Sequence, residues 1–233
     1  MSTFKPRDWG SHAPYIAPGY KSTLLRGPTQ APLAIKSGLT EGTGPRFAPA
    51  SVRELDFDLT KNGVVNGEPL GERIVVHGRV MDTDGRPQPN TLVKIWQANA
   101  AGRYVHKVDQ RDAPLDPNFR GSGRCFTDDQ GNYEFYTIKP GAYPWGNHFN
   151  AWRPNHIHIS LFGPGFATRL VTQMYFPGDP LLDLDPIFLG TEDAQARERL
   201  IAKFSIDKTE EGFALGYQFD IVLRGRNGTP MEN

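Results

Sequence analysis

The sequence predicts an all-β fold: an antiparallel β-sandwich core with long loops, an irregular N-terminal arm and one short helix. Two observations favour this fold class. The 233 residues include 25 Gly and 20 Pro, and such a density of turn-forming residues favours short strands over long helices. From about residue 72 onward, segments rich in alternating apolar residues recur at short spacing, with Asp- and Gly-containing turns between them.

The N-terminal segment, residues 1–50, shows neither a helical nor a strand period, and prolines recur through it. It also contains Trp9, Tyr15, Tyr20, Leu24 and Leu25, so its composition is not that of a solvated linker. We expect an arm that packs on its own domain and on a partner chain. Residues 51–233 are then expected to form the β-sandwich domain that carries the chemistry.

The strands are predicted in chain order from alternation and from the turns that separate them. In the first, Ile74, Val76 and Val80 share one face, and the turn at residues 82–85 ends it. A second turn is expected at residues 128–131. The predicted strands cover residues 73–81, 92–98, 133–138, 156–162 and 216–223.

A single helix is predicted at residues 192–204. Thr191 can cap its N-terminus, and Glu192 and Asp193 suit the positive end of the helix dipole. Leu200, Ile201 and Phe204 would form its buried stripe, and Lys203 would lie in the last turn. Packing is the role we expect for this helix.

Composition excludes several function classes. The 26 Lys and Arg balance the 26 Asp and Glu, without the basic excess typical of a nucleic-acid binder. No apolar run approaches the roughly 20 residues that cross a bilayer, and the N-terminus has no apolar signal region. The single cysteine, Cys125, cannot form an internal disulfide, so a reducing, cytoplasmic location is expected. We expect Cys125 to be a small buried apolar residue.

The most informative local pattern is the predicted strand that begins His156-Ile157-His158-Ile159. Residues two apart on a strand share a face, so both histidines point one way and both isoleucines point into a core. The two histidine Cβ atoms would lie about 6.6 Å apart along the strand. Two imidazoles at that separation can converge on one metal ion.

This pattern alone leaves alternatives open. Two histidines on one strand face can be a solvated or hydrogen-bonded pair, and zinc, copper, iron and nickel all accept imidazole. Upstream lies Lys139-Pro-Gly-Ala-Tyr-Pro-Trp145, in which prolines hold Tyr143 and Trp145 near the start of the histidine strand. Taken alone, Tyr143 would be interpreted as ordinary loop packing.

The combination of K-P-G-x-Y-P with R-P-x-H-I-H resembles the intradiol ring-cleaving dioxygenases. The resemblance extends over most of the chain, including the Pro/Gly-rich arm and the W-Q-A-N-x-x-G-x-Y segment. It implies one ferric ion, Fe(3+), per chain, held by Tyr104, Tyr143, His156 and His158 with a solvent hydroxide as fifth ligand. Two phenolates and a hydroxide would balance the three charges of iron(III). Tyr143 corresponds to the ligand that leaves when substrate binds, and His158 to the other axial ligand.

Further roles follow from the same resemblance. Arg153 would stabilise negative charge on the activated substrate ring, and a structural salt bridge is its alternative role. Gln173 would hydrogen-bond to substrate or oxygen. The substrate-binding residues would be Tyr20 from the arm together with Trp145 and Ile187 as walls of the pocket. Trp96 is interpreted as a shield for the iron or as core packing.

The resemblance also implies an activity and partners. The proline-rich N-terminus and Tyr20 favour cleavage of protocatechuate (3,4-dihydroxybenzoate) by O2 to 3-carboxy-cis,cis-muconate, in aromatic compound catabolism through the β-ketoadipate pathway. Catechol and hydroxyquinol are the alternative substrates. A homologous α chain is expected as partner in a hetero-oligomer, with the site at the αβ interface. The remaining alternatives are a non-catalytic subunit of such an assembly and an unrelated β-sandwich binding module with a structural H-x-H.

Overall fold

The computed structural model describes residues 8–30, 49–163 and 169–232. Within these ranges the strands are β1 (Arg73–Asp82), β2 (Leu92–Trp96), β3 (Ser122–Phe126), β4 (Asn132–Ile138), β5 (Tyr143–Pro144), β6 (Trp152–Arg153), β7 (His156–Phe162), β8 (Arg169–Tyr175), β9 (Lys203–Glu210), β10 (Ala214–Gln218) and β11 (Ile221–Leu223). The helices are short: α1 (Lys21–Arg26), α2 (Pro186–Leu189) and α3 (Ala194–Glu198). Single 3-10 turns occur at Trp9–Ser11, Pro49–Ser51 and Leu182–Leu184.

Two sheets face each other. One contains β1 at its centre, with β4 on one side and β10 and β11 on the other, and β9 follows β10. The other has the order β3-β2-β7-β8 and is antiparallel throughout. The all-β sandwich is confirmed, and antiparallel pairs predominate, although β1 runs parallel to both β10 and β11.

The core between the sheets follows from the alternation of apolar residues. Ile74, Val76 and Val80 of β1 are each 0 % exposed, as their shared face predicts. Opposite them, Ile157 and Ile159 of β7 belong to the same buried cluster. Burying a side chain of this size contributes about 1.5–3 kcal/mol relative to leaving it exposed. The isoleucines of β7 therefore anchor the strand, and its alternate residues must point away from this core.

The predicted helix at residues 192–204 is wrong in extent and in its cap. The helix begins after Asp193, whose carboxylate accepts hydrogen bonds from the N–H groups of Gln195 and Ala196, and it ends at Glu198. The backbone of Tyr175 then pairs with Leu200 and Ala202, which draws the chain into an extended form. Phe204 lies on β9, with 53 % of its surface exposed. Sheet pairing overrides the helical period here.

The predicted strand at residues 216–223 is divided into β10 and β11. Between them the N–H of Phe219 donates to His77 O of β1, and Phe219 O lies against Gly78. A Cβ at Gly78 would come within 2.0 Å of that oxygen, so only glycine permits the approach. The long strand β8 was not predicted.

The described part of the arm, residues 8–30, contains α1 where no helix was predicted. The arm contacts the sandwich domain at several points: Asn147 accepts from Lys21 N–H and donates to Gly19 O, and the ring of Tyr20 lies 5.4 Å from that of Trp145. Residues 31–48 of the predicted arm lie outside the described residues. No helix in the described ranges is long and apolar enough to span a bilayer.

Candidate metal centre

Two loops bring Tyr104 and Tyr143 together. Tyr104 lies in the loop after β2, and Tyr143 begins β5. Gly102 adopts a φ of +73°, and a Cβ there would lie 2.3 Å from Ala142 O, so glycine lets the first loop press directly on the second. Across this contact the two tyrosine rings meet edge to face, with centroids 5.5 Å apart.

The histidine strand lies in the middle of its sheet, between β2 and β8. His156 and His158 leave the strand on the face opposite the core isoleucines, as the two-residue period predicts. Their ring centroids are 4.9 Å apart, and the planes lie at 77° to each other. Both imidazoles are therefore presented from one rigid, fully paired strand.

Four side chains converge at this face: those of Tyr104, Tyr143, His156 and His158. The hydroxyl of Tyr143 lies 3.4 Å from His156 Nε2, and that of Tyr104 lies 3.5 Å from the same nitrogen. His158 joins through its ring, whose centroid is 6.3 Å from that of Tyr104. The structure thus brings together all four residues that the sequence predicted as ligands.

The hydrogen bonds of the histidines leave one nitrogen of each ring for a metal. His156 Nδ1 lies 2.7 Å from Pro154 O, and His158 Nδ1 lies 3.0 Å from a carboxylate oxygen of Glu232. Because those partners are acceptors, Nδ1 carries the proton in each neutral ring and Nε2 keeps its lone pair. Trp96 stacks on His158 with centroids 4.8 Å apart and an interplanar angle of 3°, which fixes the plane of that ring.

Protonation equilibria in this cluster fit a cation site. Burial lowers the pKa of His156 well below its usual value, and the charge of Arg153 adds to the effect, so His156 is neutral and able to bind a metal. Burial raises the pKa of Tyr104 well above its usual value, and it raises that of Tyr143. Both phenols therefore need a nearby cation to ionise. Such hard anionic donors suit a highly charged ion.

The tyrosines are essential to any metal site here. Among the described residues, no group of three or more His, Cys, Asp or Glu could hold a metal ion. A carboxylate-and-histidine centre of the iron(II) type is thus absent from the described ranges. The residues that remain, two phenols and two imidazoles, fit iron(III).

Arg153 lies beside this cluster in a fully buried polar network. β5 and β6 pair so that Arg153 is directly opposite Tyr143. The guanidinium donates to the side-chain oxygen of Gln173, lies 3.4 Å from the hydroxyl of Tyr175, and forms an ion pair of 3.2 Å with Asp185. Although burial opposes it, the pKa of Arg153 is raised by Tyr175 and Asp185, so the group stays charged.

The structure places the proposed pocket residues at different distances from the cluster. Trp145 lies under the Arg153 guanidinium, which is 5.5 Å from the ring centroid, and the ring of Tyr20 contacts that of Trp145 in turn. Ile187 is buried on α2, and its N–H donates to the carboxylate of Asp185. Through these contacts Tyr20 and Ile187 join the network at its edges.

A cleft of about 700 Å³ opens beside the tyrosines and is lined by Tyr104, Tyr143, Trp96, Trp145 and Arg111. A larger cleft, of about 890 Å³, lies around His77, Glu134 and Lys208, and none of the four candidate ligands lines it. We assign the chemistry to the smaller cleft because two of the four candidate ligands, Tyr104 and Tyr143, line it.

Sequence reasoning missed three functional neighbours: Tyr175, Asp185 and Glu232. Asp185 precedes Pro186 and caps α2, so its sequence context indicated only a helix start. Glu232 lies near the C-terminus, 74 positions from the histidine it contacts. No local pattern announces such contacts. His148, which is near the site in sequence, is exposed, and its Nδ1 lies 2.8 Å from Phe149 O.

The family described as Dioxygenase matches residues 42–225, and that described as Protocatechuate 3,4-dioxygenase beta subunit N terminal matches residues 6–37. The chain is 67 % identical to a protocatechuate 3,4-dioxygenase beta chain of Burkholderia cepacia over 97 % of this chain and 96 % of that protein. It is 31 % identical to a protocatechuate 3,4-dioxygenase alpha chain of Pseudomonas putida, over 72 % of this chain and 79 % of that one.

Among solved structures, the dioxygenase domain of a dioxygenase–carbohydrate-binding fusion from Streptomyces sp. SirexAA-E superposes with a TM-score of 0.52 at 28 % identity, covering 77 % of this chain and 93 % of that one. The 3-chlorocatechol 1,2-dioxygenase of Rhodococcus opacus 1CP gives a TM-score of 0.56 at 22 % identity, covering 77 % of this chain and 69 % of that one. The latter likeness concerns the fold alone.

Proposed function

The chain belongs to the intradiol ring-cleavage dioxygenase family, and we propose that it is the iron-bearing β chain of an enzyme that cleaves protocatechuate with O2 to 3-carboxy-cis,cis-muconate. The observation that carries the proposal is the convergence of two tyrosines and two histidines on one point beside a cleft. The likeness to the Burkholderia cepacia β chain along nearly the whole sequence supports the choice of substrate.

Tyr104, Tyr143, His156 and His158 would hold one ferric ion. When bound, this ion would take up the two hydroxyl oxygens of a catechol and draw electron density from its ring, making a ring carbon reactive towards O2. The protein must supply the rest: ionisation of the substrate, a fixed ring position and balance for the negative charge.

Tyr143 is our candidate for the substrate's proton acceptor. Tyr143 lines the cleft, and as a phenolate it can take a proton from a substrate hydroxyl. Two arginines contact Tyr143. The guanidinium of Arg111 lies 4.9 Å from the centroid of its ring, and the backbone of Arg153 pairs with its backbone across β5 and β6. The phenolate of Tyr143 would therefore be stabilised while it binds the metal, and it would become a neutral phenol when it takes the substrate's proton.

Arg153 is our candidate for stabilising the charge on the substrate ring. Its guanidinium is always protonated, and its buried neighbours fix its direction before substrate arrives. Gln173 contributes in this account by holding Arg153 as well as by hydrogen-bonding to substrate or oxygen. Trp145, Tyr20 and Ile187 would shape the apolar part of the pocket.

We further propose that an α chain completes the pocket. Several large apolar side chains near the cleft or on the arm are exposed in the isolated chain: Leu25 at 88 %, Val108 at 74 % and Phe149 at 97 %. An α chain that packed on this part of the surface would remove these side chains from water. An α–β partnership is consistent with the paired naming of the two relatives.

The decisive experiment measures metal, colour and turnover of the chain co-expressed with an α chain. We expect one iron per β chain and a broad visible tyrosinate-to-iron band. Tyr104→Phe and Tyr143→Phe should weaken that band. Tyr136→Phe should leave it unchanged, because the Tyr136 hydroxyl donates to Glu210 within the sheet that contains β1, away from the histidine strand. Oxygen uptake should occur with protocatechuate. A colourless zinc protein would overturn the iron assignment, and uptake with catechol alone would overturn the substrate.

A further inference from the structure

The C-terminal tail brings a carboxylate to one of the two candidate histidine ligands. Glu232 Oε2 lies 3.0 Å from His158 Nδ1, and the two side chains are only 19 % and 15 % exposed. A bond at Nδ1 leaves Nε2 as the nitrogen that can bind a metal. Neither the family motif nor the sequence pattern pointed to Glu232.

The two histidines differ in this respect. His156 Nδ1 faces a neutral backbone oxygen, that of Pro154, at 2.7 Å. His158 faces an anion. A carboxylate that accepts the Nδ1 proton increases the electron donation of an imidazole more than a carbonyl does, because it stabilises positive charge on the ring. His158 is therefore expected to donate electron density to a bound metal more strongly than His156 does.

The tail that carries Glu232 is tied to the sandwich rather than loosely placed. Glu232 N–H donates to Val171 O of β8 at 3.0 Å. Three residues earlier, Thr229 exchanges two hydrogen bonds with Val222 of β11: its N–H donates to Val222 O, and its hydroxyl accepts from Val222 N–H. Backbone contacts to both sheets thus fix where the carboxylate can reach.

The N-terminal arm also contacts the tail. Met231 N–H donates to His12 Nδ1 at 2.9 Å, and His12 is buried, with 8 % of its surface exposed. His12 therefore holds the residue next to Glu232, although it lies 219 positions away in the chain. The arm thus contacts the tail at the residue next to the one that reaches His158.

The other surface of the His158 ring is also fixed. Trp96 stacks on it in a nearly parallel arrangement, with an interplanar angle of 3°. Stacking restrains the tilt of the ring, but it leaves rotation within the ring plane free. A hydrogen bond at Nδ1 restrains that remaining rotation, so Trp96 and Glu232 together define one ring orientation.

We propose that Glu232 is a positioning residue for His158: its carboxylate fixes the tautomer and orientation of the ring and strengthens its donation to the ferric ion, and His12 of the arm holds the tail in place for this role. The inference rests on the proposed function in that His158 is taken as an iron ligand. It assigns the C-terminal tail an influence on the electronic state of the metal that acts through His158.

The test compares Glu232→Ala, Glu232→Gln and the control Glu211→Gln in the complex of this chain with an α chain. Glu211 is exposed in the turn between β9 and β10 and makes no contact with the cluster in the described structure. We expect Glu232→Ala to lose iron to excess EDTA about 10–100-fold faster than wild type. Its charge-transfer band should move to longer wavelength, because a weaker imidazole donor leaves the ferric ion more electron-poor. The iron(III)/iron(II) potential should rise for the same reason.

The glutamine variant separates charge from position. It keeps an oxygen that can accept the Nδ1 proton, so it should retain iron better than the alanine variant while its band still shifts to longer wavelength. His12→Ala should speed iron loss by less than Glu232→Ala does. Wild-type iron retention in His12→Ala would contradict the role of the arm.

The outcomes also separate this inference from the proposed function. A wild-type complex without iron and without colour would refute the function itself. A coloured wild type together with a Glu232→Ala variant of identical band, potential and iron loss would refute the role of Glu232 alone. Thermal unfolding midpoints close to wild type in all variants would exclude a general loss of folding as the cause.

Discussion

Arg153 Nε lies 3.2 Å from Asp185 Oδ1, and their side chains are 5 % and 0 % exposed. Burial raises the pKa of Asp185, and the charge of Arg153 opposes that rise. Because a guanidinium remains protonated, Asp185 is the carboxylate that balances its charge in the interior. Asp185 also caps α2, so one side chain links the candidate active-site arginine to the helix that carries Ile187.

We therefore predict that Asp185→Asn destabilises the protein by about 3–5 kcal/mol, since a buried guanidinium would be left without a counter-charge. Turnover should fall as well, because Arg153 would lose its fixed direction. Urea unfolding measures the first effect and oxygen uptake the second. Asp183→Asn, an exposed neighbour in the preceding turn, is the control and should change neither. An unchanged unfolding free energy in Asp185→Asn would contradict the buried ion pair.

For Arg153 itself, the informative change is Arg153→Lys, which keeps a positive charge beside Asp185. Lysine cannot reproduce the planar fork that contacts Gln173 and Asp185, so the charge would be misplaced relative to the substrate ring. We expect kcat to fall about 10²-fold with iron content unchanged. Arg86→Lys, on an exposed turn, provides the matched control. Full turnover of the iron-loaded Arg153→Lys variant would argue against a catalytic role.

The contact between the two tyrosine loops can be tested at Gly102. Gly102→Ala would place a methyl group 2.3 Å from Ala142 O and would impose left-handed backbone strain. Gly85→Ala is the matched control. Gly85 has a similar φ, +79°, but no atom lies within 4 Å of the position that a Cβ would take there. Gly85→Ala should lower the free energy of unfolding by about 1–2 kcal/mol, from backbone strain alone. Gly102→Ala should cost about 1–3 kcal/mol more and release iron, because Tyr104 and Tyr143 would move apart.

Thermal or urea unfolding and iron analysis of both glycine variants measure these effects. Equal destabilisation in the two variants, with iron retained in both, would mean that the loops do not need the close approach.

Cys125 is predicted to be unreactive at neutral pH. Burial raises the pKa of its thiol to about 12, so roughly one molecule in 10⁴ carries a thiolate at pH 8. In the native protein, modification by a disulfide reagent should be slow at pH 8, and its rate should rise about tenfold for each further pH unit as the thiolate fraction grows. Denatured protein should react at once. Cys125→Ala should keep turnover, whereas its loss would reopen a role for the thiol.

The sequence determined the fold class and the face of the histidine strand, because both depend on local periodicity. Alternating residues place Ile157 and Ile159 in the core, and His156 and His158 must then point away from it. The family motifs added Tyr104 and Tyr143. Periodicity could not identify them as ligands, because one lies in a loop and the other in a strand of only two residues. The resemblance also identified Arg153, but nothing in the sequence identified Asp185 as the carboxylate that pairs with it.

The tertiary structure decided what depends on distant pairing. The apolar spacing at residues 192–204 suits a helix, yet the backbone pairing of Tyr175 with Leu200 and Ala202 turns the chain into a strand. Asp185 and Glu232 reach the site only because β8 pairs with β7 and the tail in turn pairs with β8. Such contacts join residues far apart in sequence, and the free energy that selects them comes from burial and pairing of whole elements, which no short segment contains.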